Sequence, residues 1–275
     1  MIVVTGASGN VGGEVARALL DGGHKVRALT TGGEKGLPAG AEPVTGDLDQ
    51  PSTLAAALEA ASGIFLLPGF RDMPGVLAVA ARSGLDRVVL LSGSSAGSGD
   101  LTNAISSYMI RSEEAVRASG LAWTILRPSA FMSNAFRWLP QLRAGDVVRL
   151  PFAGVPAAVI DPADIAAVAA LALTADGHQE AVYRLTGPES LLPADQVAVL
   201  ARVLGRPLRF EAQPDDEART EMTAAMPAEY VDAFFRFYVD GELDESMVLP
   251  TVPRLIGRPA RTFEQWAAAH AAAFA

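Results

Sequence analysis

Residues Thr5–Val15 read TGASGNVGGEV, and this stretch decides the fold. Three glycines, Gly6, Gly9 and Gly12, fall at G-x-x-G-x-x-G. The apolar run Ile2–Val4 precedes them, and Val11, Val15, Ala18 and Leu19 follow at helical spacing before a stop at Gly22. A strand, a glycine loop and a helix in that order are the context that holds a dinucleotide pyrophosphate. The first glycine turns the chain, the second lets backbone amides approach phosphate, and the third lets the helix pack close to the sheet. The helix N-terminus adds unpaired N–H groups and the positive end of its dipole. The alternative is a glycine-rich turn on a scaffold that holds no nucleotide.

Working outward, short apolar runs alternate with amphipathic helices. HKVRALT, AEPVTGDL, GIFLLPG, DRVVLLSG and LAWTILRP read as strands. STLAAALEA (with Ser52 as N-cap), MPGVLAVAARSG and NAISSYMIRSEEAVRASG read as helices between them. This predicts an α/β fold, a Rossmann-type doubly wound parallel sheet in strand order 3-2-1-4-5-6. DPADIAAVAALALTAD is a further helix, AVYRLTGP a strand returning to the sheet, and PADQVAVLARVLGRP a helix stopped at Gly205. From about Arg209 a smaller, mostly helical lobe is expected. The division is 1–186 as a nucleotide-binding domain, with 131–160 contributing to a substrate site, and 187–275 as a C-terminal substrate-side lobe.

Composition narrows the chemistry. The chain has no Cys, so disulfides, thiolate zinc sites and Cys nucleophiles are excluded. Its three His do not form H-E-x-x-H, and no metal site is expected. A net charge of -9 argues against a nucleic-acid partner. MIVVTG has no basic lead-in, and Ile165–Leu173 is far short of the roughly 18 apolar residues of a membrane span. A cytoplasmic protein without membrane contact is expected, as monomer or homodimer.

Topology then nominates the cofactor residues. Gly6, Ala7, Ser8, Gly9, Asn10, Val11 and Gly12 form the loop. NAD selection normally uses an acid at the end of the second strand. Thr30 and Thr31 stand there instead, with Glu34 further into the loop. Thr31, Lys35 and Arg27 are candidates for a 2′-phosphate, which favours NADP(H) over NAD(H). Asp47 and Leu48 are placed for the adenine edge, and Leu67 and Pro68 for ribose and pyrophosphate. Ser92 and Pro128, ending the fifth and sixth strands, complete the set.

TGASGNVGGEV, VRALTTGGEK, GDLDQPSTLAAAL, EEAVRASGLAWTILRPSAFMSN, PADIAAVAALAL and LIGRPARTFEQWAAAH together resemble the NmrA-like branch of the atypical short-chain dehydrogenase/reductases. The resemblance spans nearly the whole chain, with its motifs in order. It implies an NAD(P)-binding Rossmann protein, either an enzyme such as an NADPH-dependent quinone reductase or a redox sensor that binds the cofactor without turnover. There are two departures. Members often carry Arg where Thr31 stands. The superfamily's Y-x-x-x-K becomes Tyr108 followed four residues on by Ser112.

Reducing a ketone leaves an alkoxide that needs a proton, and a Tyr donor needs a nearby cation. Tyr108 has Arg111 at i+3 but no lysine at i+4. Tyr108 and Ser94 are the candidate catalytic residues, with Ser92 and Ser95 beside Ser94. A quinone takes hydride and then a proton from water, so it suits a site without the Tyr–Lys pair. Phe131, Met132, Asn134, Phe136 and Trp138 follow the sixth strand and predict an apolar substrate wall, joined by the late lobe with its Phe234–Tyr238 cluster. Gly93–Gly97, GSSAG, matches a hydrolase elbow, but no helix pattern follows at once. The leading expectation is an NADP(H)-dependent reductase of a flat, apolar quinone or carbonyl compound. A non-catalytic sensor and a redox-neutral isomerase or lyase are the alternatives.

Overall fold

Strands buried on both faces are what a parallel sheet covered by helices requires, and the apolar runs supply them. β1 (Ile2–Thr5) and β4 (Gly63–Leu66) are buried along their whole length. They join β2 (Val26–Thr30), β3 (Glu42–Thr45), β5 (Arg87–Leu91), β6 (Ala122–Pro128) and β8 (Ala181–Leu185) in one sheet ordered β3-β2-β1-β4-β5-β6-β8. The pairs from β3 to β6 are parallel, with Ile2 opposite Val26 on one side and Gly63 on the other. The order read from the sequence holds, and AVYRLTGP adds the strand beside β6. In this computed structural model residues 1–33 and 35–274 are described, so Glu34 lies outside the described residues.

The helices are α1 (Asn10–Asp21), α2 (Ala55–Leu58), α3 (Met73–Arg82), α4 (Ala104–Arg117), α5 (Leu139–Ala144), α6 (Pro162–Thr174), α7 (Pro193–Leu204), α8 (Asp215–Ala225), α9 (Ala228–Tyr238), α10 (Thr251–Ile256) and α11 (Phe263–Ala269). α1 buries Val11, Val15, Ala16 and Leu19, the apolar stripe of its sequence, and packs against α6. Asp72 caps α3 by accepting from the Gly75 N–H at 2.8 Å. Ser52 does not cap α2. Pro51 instead opens a 3₁₀ turn over Pro51–Leu54 and α2 begins only at Ala55, because proline's fixed φ starts the turn before Ser52.

Contacts divide the chain into two units. The first takes Met1–Leu101, Ser106–Pro128 and Pro162–Arg184, and carries the sheet. One of its cores gathers Leu54, Leu58, Ile64, Leu77 and Ile125. The second takes Thr102–Ile105, Ser129–Asp161 and Leu185–Ala275. Trp138, Phe263, Trp266 and Phe274 centre its core. Its last α-helix, α11, opens on a capping box in which the Thr262 hydroxyl accepts from Gln265 N–H and the Gln265 side chain accepts from Thr262 N–H.

The stretch after Arg209 is not helical from its start. β7 (Val147–Leu150) and β9 (Arg209–Ala212) form a two-stranded parallel ribbon. β9 reads RFEA and is largely exposed, so it carries no apolar run to announce it. Among the described residues, no helix is long and apolar enough to cross a membrane.

Candidate functional site

β1 ends at Thr5 and α1 begins at Asn10, leaving Gly6–Gly9 to turn the chain. Gly6 has φ +63°, in the left-handed region that glycine adopts without strain. Its carbonyl accepts from Gly9 N–H at 2.9 Å, which closes the turn. A Cβ at Gly12 would lie 2.2 Å from that same carbonyl oxygen, so the helix reaches the loop only because residue 12 lacks a side chain. The N-cap residue Gly9 has no side chain to cap α1, and no acid stands in the helix's first turn. Ser8, Gly9 and Asn10 are exposed, while Ala7 and Val11 are buried beneath them. The first N–H groups of a helix have no intrahelical partner. Left uncapped, they make an anion cradle that fits the pyrophosphate of a dinucleotide.

Other candidates gather around this loop. Leu67 N–H donates to Thr5 Oγ1 at 3.0 Å, and a Cβ on Gly6 would meet Leu67 Cδ1 at 2.6 Å. Gly36 faces Ser8, where a Cβ would come within 3.6 Å of the Ser8 Cβ. The β2–β3 loop, with Thr31 and Lys35 exposed on it, therefore borders the glycine loop. Thr30 is taken up by its own turn: its hydroxyl accepts from Gly32 N–H at 3.1 Å and donates to the Gly33 carbonyl at 3.2 Å. Arg27 points elsewhere, contrary to expectation. Its guanidinium donates to the carbonyls of Glu59 (2.5 Å) and Ala57 (3.3 Å) at the end of α2, and pairs with Glu42. The Asp47 carboxylate accepts from Asp49 N–H and Gln50 Nε2, both at 2.9 Å, and Leu48 belongs to the core. Pro128 is buried, and its carbonyl accepts from Ser94 Oγ at 2.7 Å.

The second unit holds a cavity of about 460 Å³. Phe131, Asn134 and Trp138, which the sequence nominated for a substrate wall, line this cavity, and so do Phe234 and Tyr238 of the late aromatic cluster. Met132 does not. It is buried in the core, where its N–H donates to the Ile160 carbonyl at 2.9 Å. Phe136 is also absent from the lining and stacks on Phe274 at 5.3 Å between centroids.

The model of a family described as NAD(P)H-binding matches residues 6–176. The chain belongs to that family. A (4-alkanoyl-5-oxo-2,5-dihydrofuran-3-yl)methyl phosphate reductase from Streptomyces griseus is 42% identical, covering 100% of this chain and 99% of that protein. An NAD(P)H azoreductase from Xenophilus azovorans is 36% identical over 100% and 99%. Among solved structures, an NADPH-dependent quinone oxidoreductase from Escherichia coli has a TM-score of 0.80 at 21% identity, over 98% of this chain and 99% of that one, a likeness of fold. This NAD(P)H-binding protein is an oxidoreductase.

In this oxidoreductase Ser112 fills the place of the missing lysine with a structural role. Its hydroxyl accepts from Gly69 N–H at 3.0 Å and donates to the Tyr108 carbonyl at 2.7 Å. The Tyr108 ring lies against Gly69, where a Cβ would come within 3.2 Å of its Cδ2. Tyr108 thus stands, half-buried, beside the Pro68–Gly69 turn that follows β4. Arg111 is exposed.

The serines after β5 are similarly engaged. Ser92 Oγ donates to Glu113 Oε1 at 2.7 Å. Arg127 grips the same buried carboxylate with two bonds of 2.8 and 2.7 Å, and Arg117 lies 3.4 Å away. Burial pushes the Glu113 carboxyl up, but the bonds from Arg127 and Ser92 and the two guanidinium charges outweigh it, leaving its pKa below the ordinary value. Ser94–Ser98 form a 3₁₀ turn with Ser95 buried, so GSSAG is no nucleophile elbow.

Several cavity residues carried no signal in the sequence. Arg137, Arg149, Gln213 and Met222 all line it. Each is an ordinary surface or helix residue by pattern, and only the folding of α8, α9 and the β7–β9 ribbon brings them together.

Proposed function

We propose that this oxidoreductase is an NADPH-dependent reductase of apolar compounds bearing a polarised conjugated double bond, such as a quinone or an unsaturated carbonyl compound. The observation that carries this reading is Ser112. It stands where a catalytic lysine would, and its hydroxyl is engaged by Gly69 and Tyr108. A tyrosine has an ordinary pKa near about 10 and is a weak donor at neutral pH without a cation beside it. An acceptor that spreads the incoming charge over a conjugated system needs no strong acid, and water completes the protonation.

When bound, the nicotinamide supplies the hydride. The chain's part is to bind and orient. Gly6, Gly9 and the uncapped N-terminus of α1 hold the pyrophosphate. Leu67 packs on the loop from β4. Thr31 and Lys35 take the 2′-phosphate, with no carboxylate at Thr30–Thr31 to repel it. Phe131, Trp138, Phe152 and Phe234 give the substrate's apolar body aromatic walls. The names of the two relatives support the same acceptor class, since an alkanoyl dihydrofuranone and an azo compound both carry an electron-poor double bond.

The test is a titration with NADPH and NADH followed by nicotinamide fluorescence, then a panel of quinones, enones and aromatic ketones followed by loss of reduced cofactor. NADPH oxidation with the conjugated members and little with simple ketones is expected. Binding without oxidation of any member would overturn the reading.

A further inference from the structure

Two arginines line the cavity of the second unit, and their circumstances differ. Arg149 is neutralised by Glu217, Glu221 and Glu211, with the last two at 3.3 and 3.4 Å. Arg137 has no hydrogen-bond or ion-pair partner for its guanidinium among the described residues. Its charge still reaches the cavity wall. Burial, together with Glu245, pushes the Tyr238 phenol well up, and Arg137 pulls against them.

A second group points to the same need. Gln213 lines the cavity, is 8% exposed, and its Nε2 is buried without a hydrogen-bond partner. A buried amide donor left unpaired costs about 1–3 kcal/mol, so a retained one marks a place for an acceptor. Among the other amides of this wall, Gln141 is already used: it accepts from Arg149 N–H at 2.7 Å and donates to its carbonyl at 3.1 Å. The cavity therefore combines aromatic walls, the guanidinium of the exposed Arg137 without a protein partner among the described residues, and one buried amide donor without a partner, in a chain whose net charge is -9.

We propose that this cavity takes an amphiphilic substrate, an apolar body carrying one oxyanion group, and that Arg137 and Gln213 bind the oxyanion. Arginine's planar fork suits a phosphate monoester or a carboxylate, and the amide N–H supplies a further donor. This rests on the reductase reading and narrows its substrate class. Arg137 and Gln213 are specificity-determining residues and carry out no chemistry.

The test uses three ligands of one chain length: octyl phosphate, octanoate and octanol. Each is titrated calorimetrically into the full-length protein without nucleotide, so failure here leaves the NADPH oxidation assay to decide the reductase reading separately. One or both anions should bind at least about tenfold more tightly than the alcohol, with the stronger anion assigning the headgroup. Added salt should weaken the anion and spare the alcohol. Arg137→Gln should erase the preference. Gln213→Leu should weaken the anion about fivefold while thermal stability holds or rises, because an unpaired buried amide is removed. Equal affinity for anion and alcohol, binding of none of the three, or a preference that survives Arg137→Gln would overturn the proposal. The salt series on the unmodified protein decides the matter even where a variant fails to fold.

Discussion

The carbonyl oxygen of Gly6 occupies the space a side chain on Gly12 would need, 2.2 Å from where its Cβ would stand. The obstacle is backbone on both sides, so neither can swing away. Gly12→Ala should destabilise the protein by about 2 kcal/mol and weaken NADPH binding by pushing α1 off the loop. At Gly9 the nearest atom to a built Cβ is 3.3 Å away, so Gly9→Ala should cost less stability. Thermal melts and fluorescence titrations of the two variants check the order.

Thr31 ends the β2 region without a carboxylate and is exposed beside the glycine loop. Thr31→Asp would place a negative charge where a 2′-phosphate is expected and give a 2′-hydroxyl an acceptor. The ratio of NADPH to NADH affinity should fall at least about tenfold. An unchanged ratio would move the phosphate contact away from this residue.

Glu113 joins α4 to β5 and β6 through Ser92 and Arg127. Glu113→Gln leaves Arg127 without its bidentate partner and should cost about 3 kcal/mol, read from denaturant unfolding. The folded pKa lies below the ordinary value of 4.5. The carboxylate's contribution is therefore complete above that value and is lost as pH falls through the folded pKa. Wild-type stability should drop more steeply than that of Glu113→Gln across this acid range.

Tyr108→Phe keeps the ring against Gly69 and removes only the hydroxyl. A general acid contributes about 10²–10⁴-fold to rate. With a quinone acceptor, kcat should change less than about threefold, well under that range. A hundredfold loss would make Tyr108 the proton donor and contradict the assignment of protonation to water.

The sheet was legible because burial on both faces demands apolar runs, and a glycine loop of fixed spacing demands close backbone approach. Phe131, Asn134 and Trp138 were legible for a different reason: residues directly after a parallel strand emerge at its C-terminal edge. Met132, between two of them, turns into the core, and the residue types alone do not show which way each side chain faces. Ser92, Asp47 and Arg27 are the polar residues a site would use, yet each satisfies a neighbouring backbone or side-chain group. Arg137 and Gln213 were hidden because their meaning lies in what fails to pair with them, and pairing exists only after folding.

The most direct measurement of hydride delivery uses NADPH carrying deuterium at one or the other face of C4, with an enone whose β-carbon keeps what it receives. Product analysed by mass spectrometry should carry one deuterium from one labelled form and none from the other. Deuterium retained by the cofactor with both forms, or lost to water, would contradict direct hydride transfer in a stereospecific site and the reductase account with it.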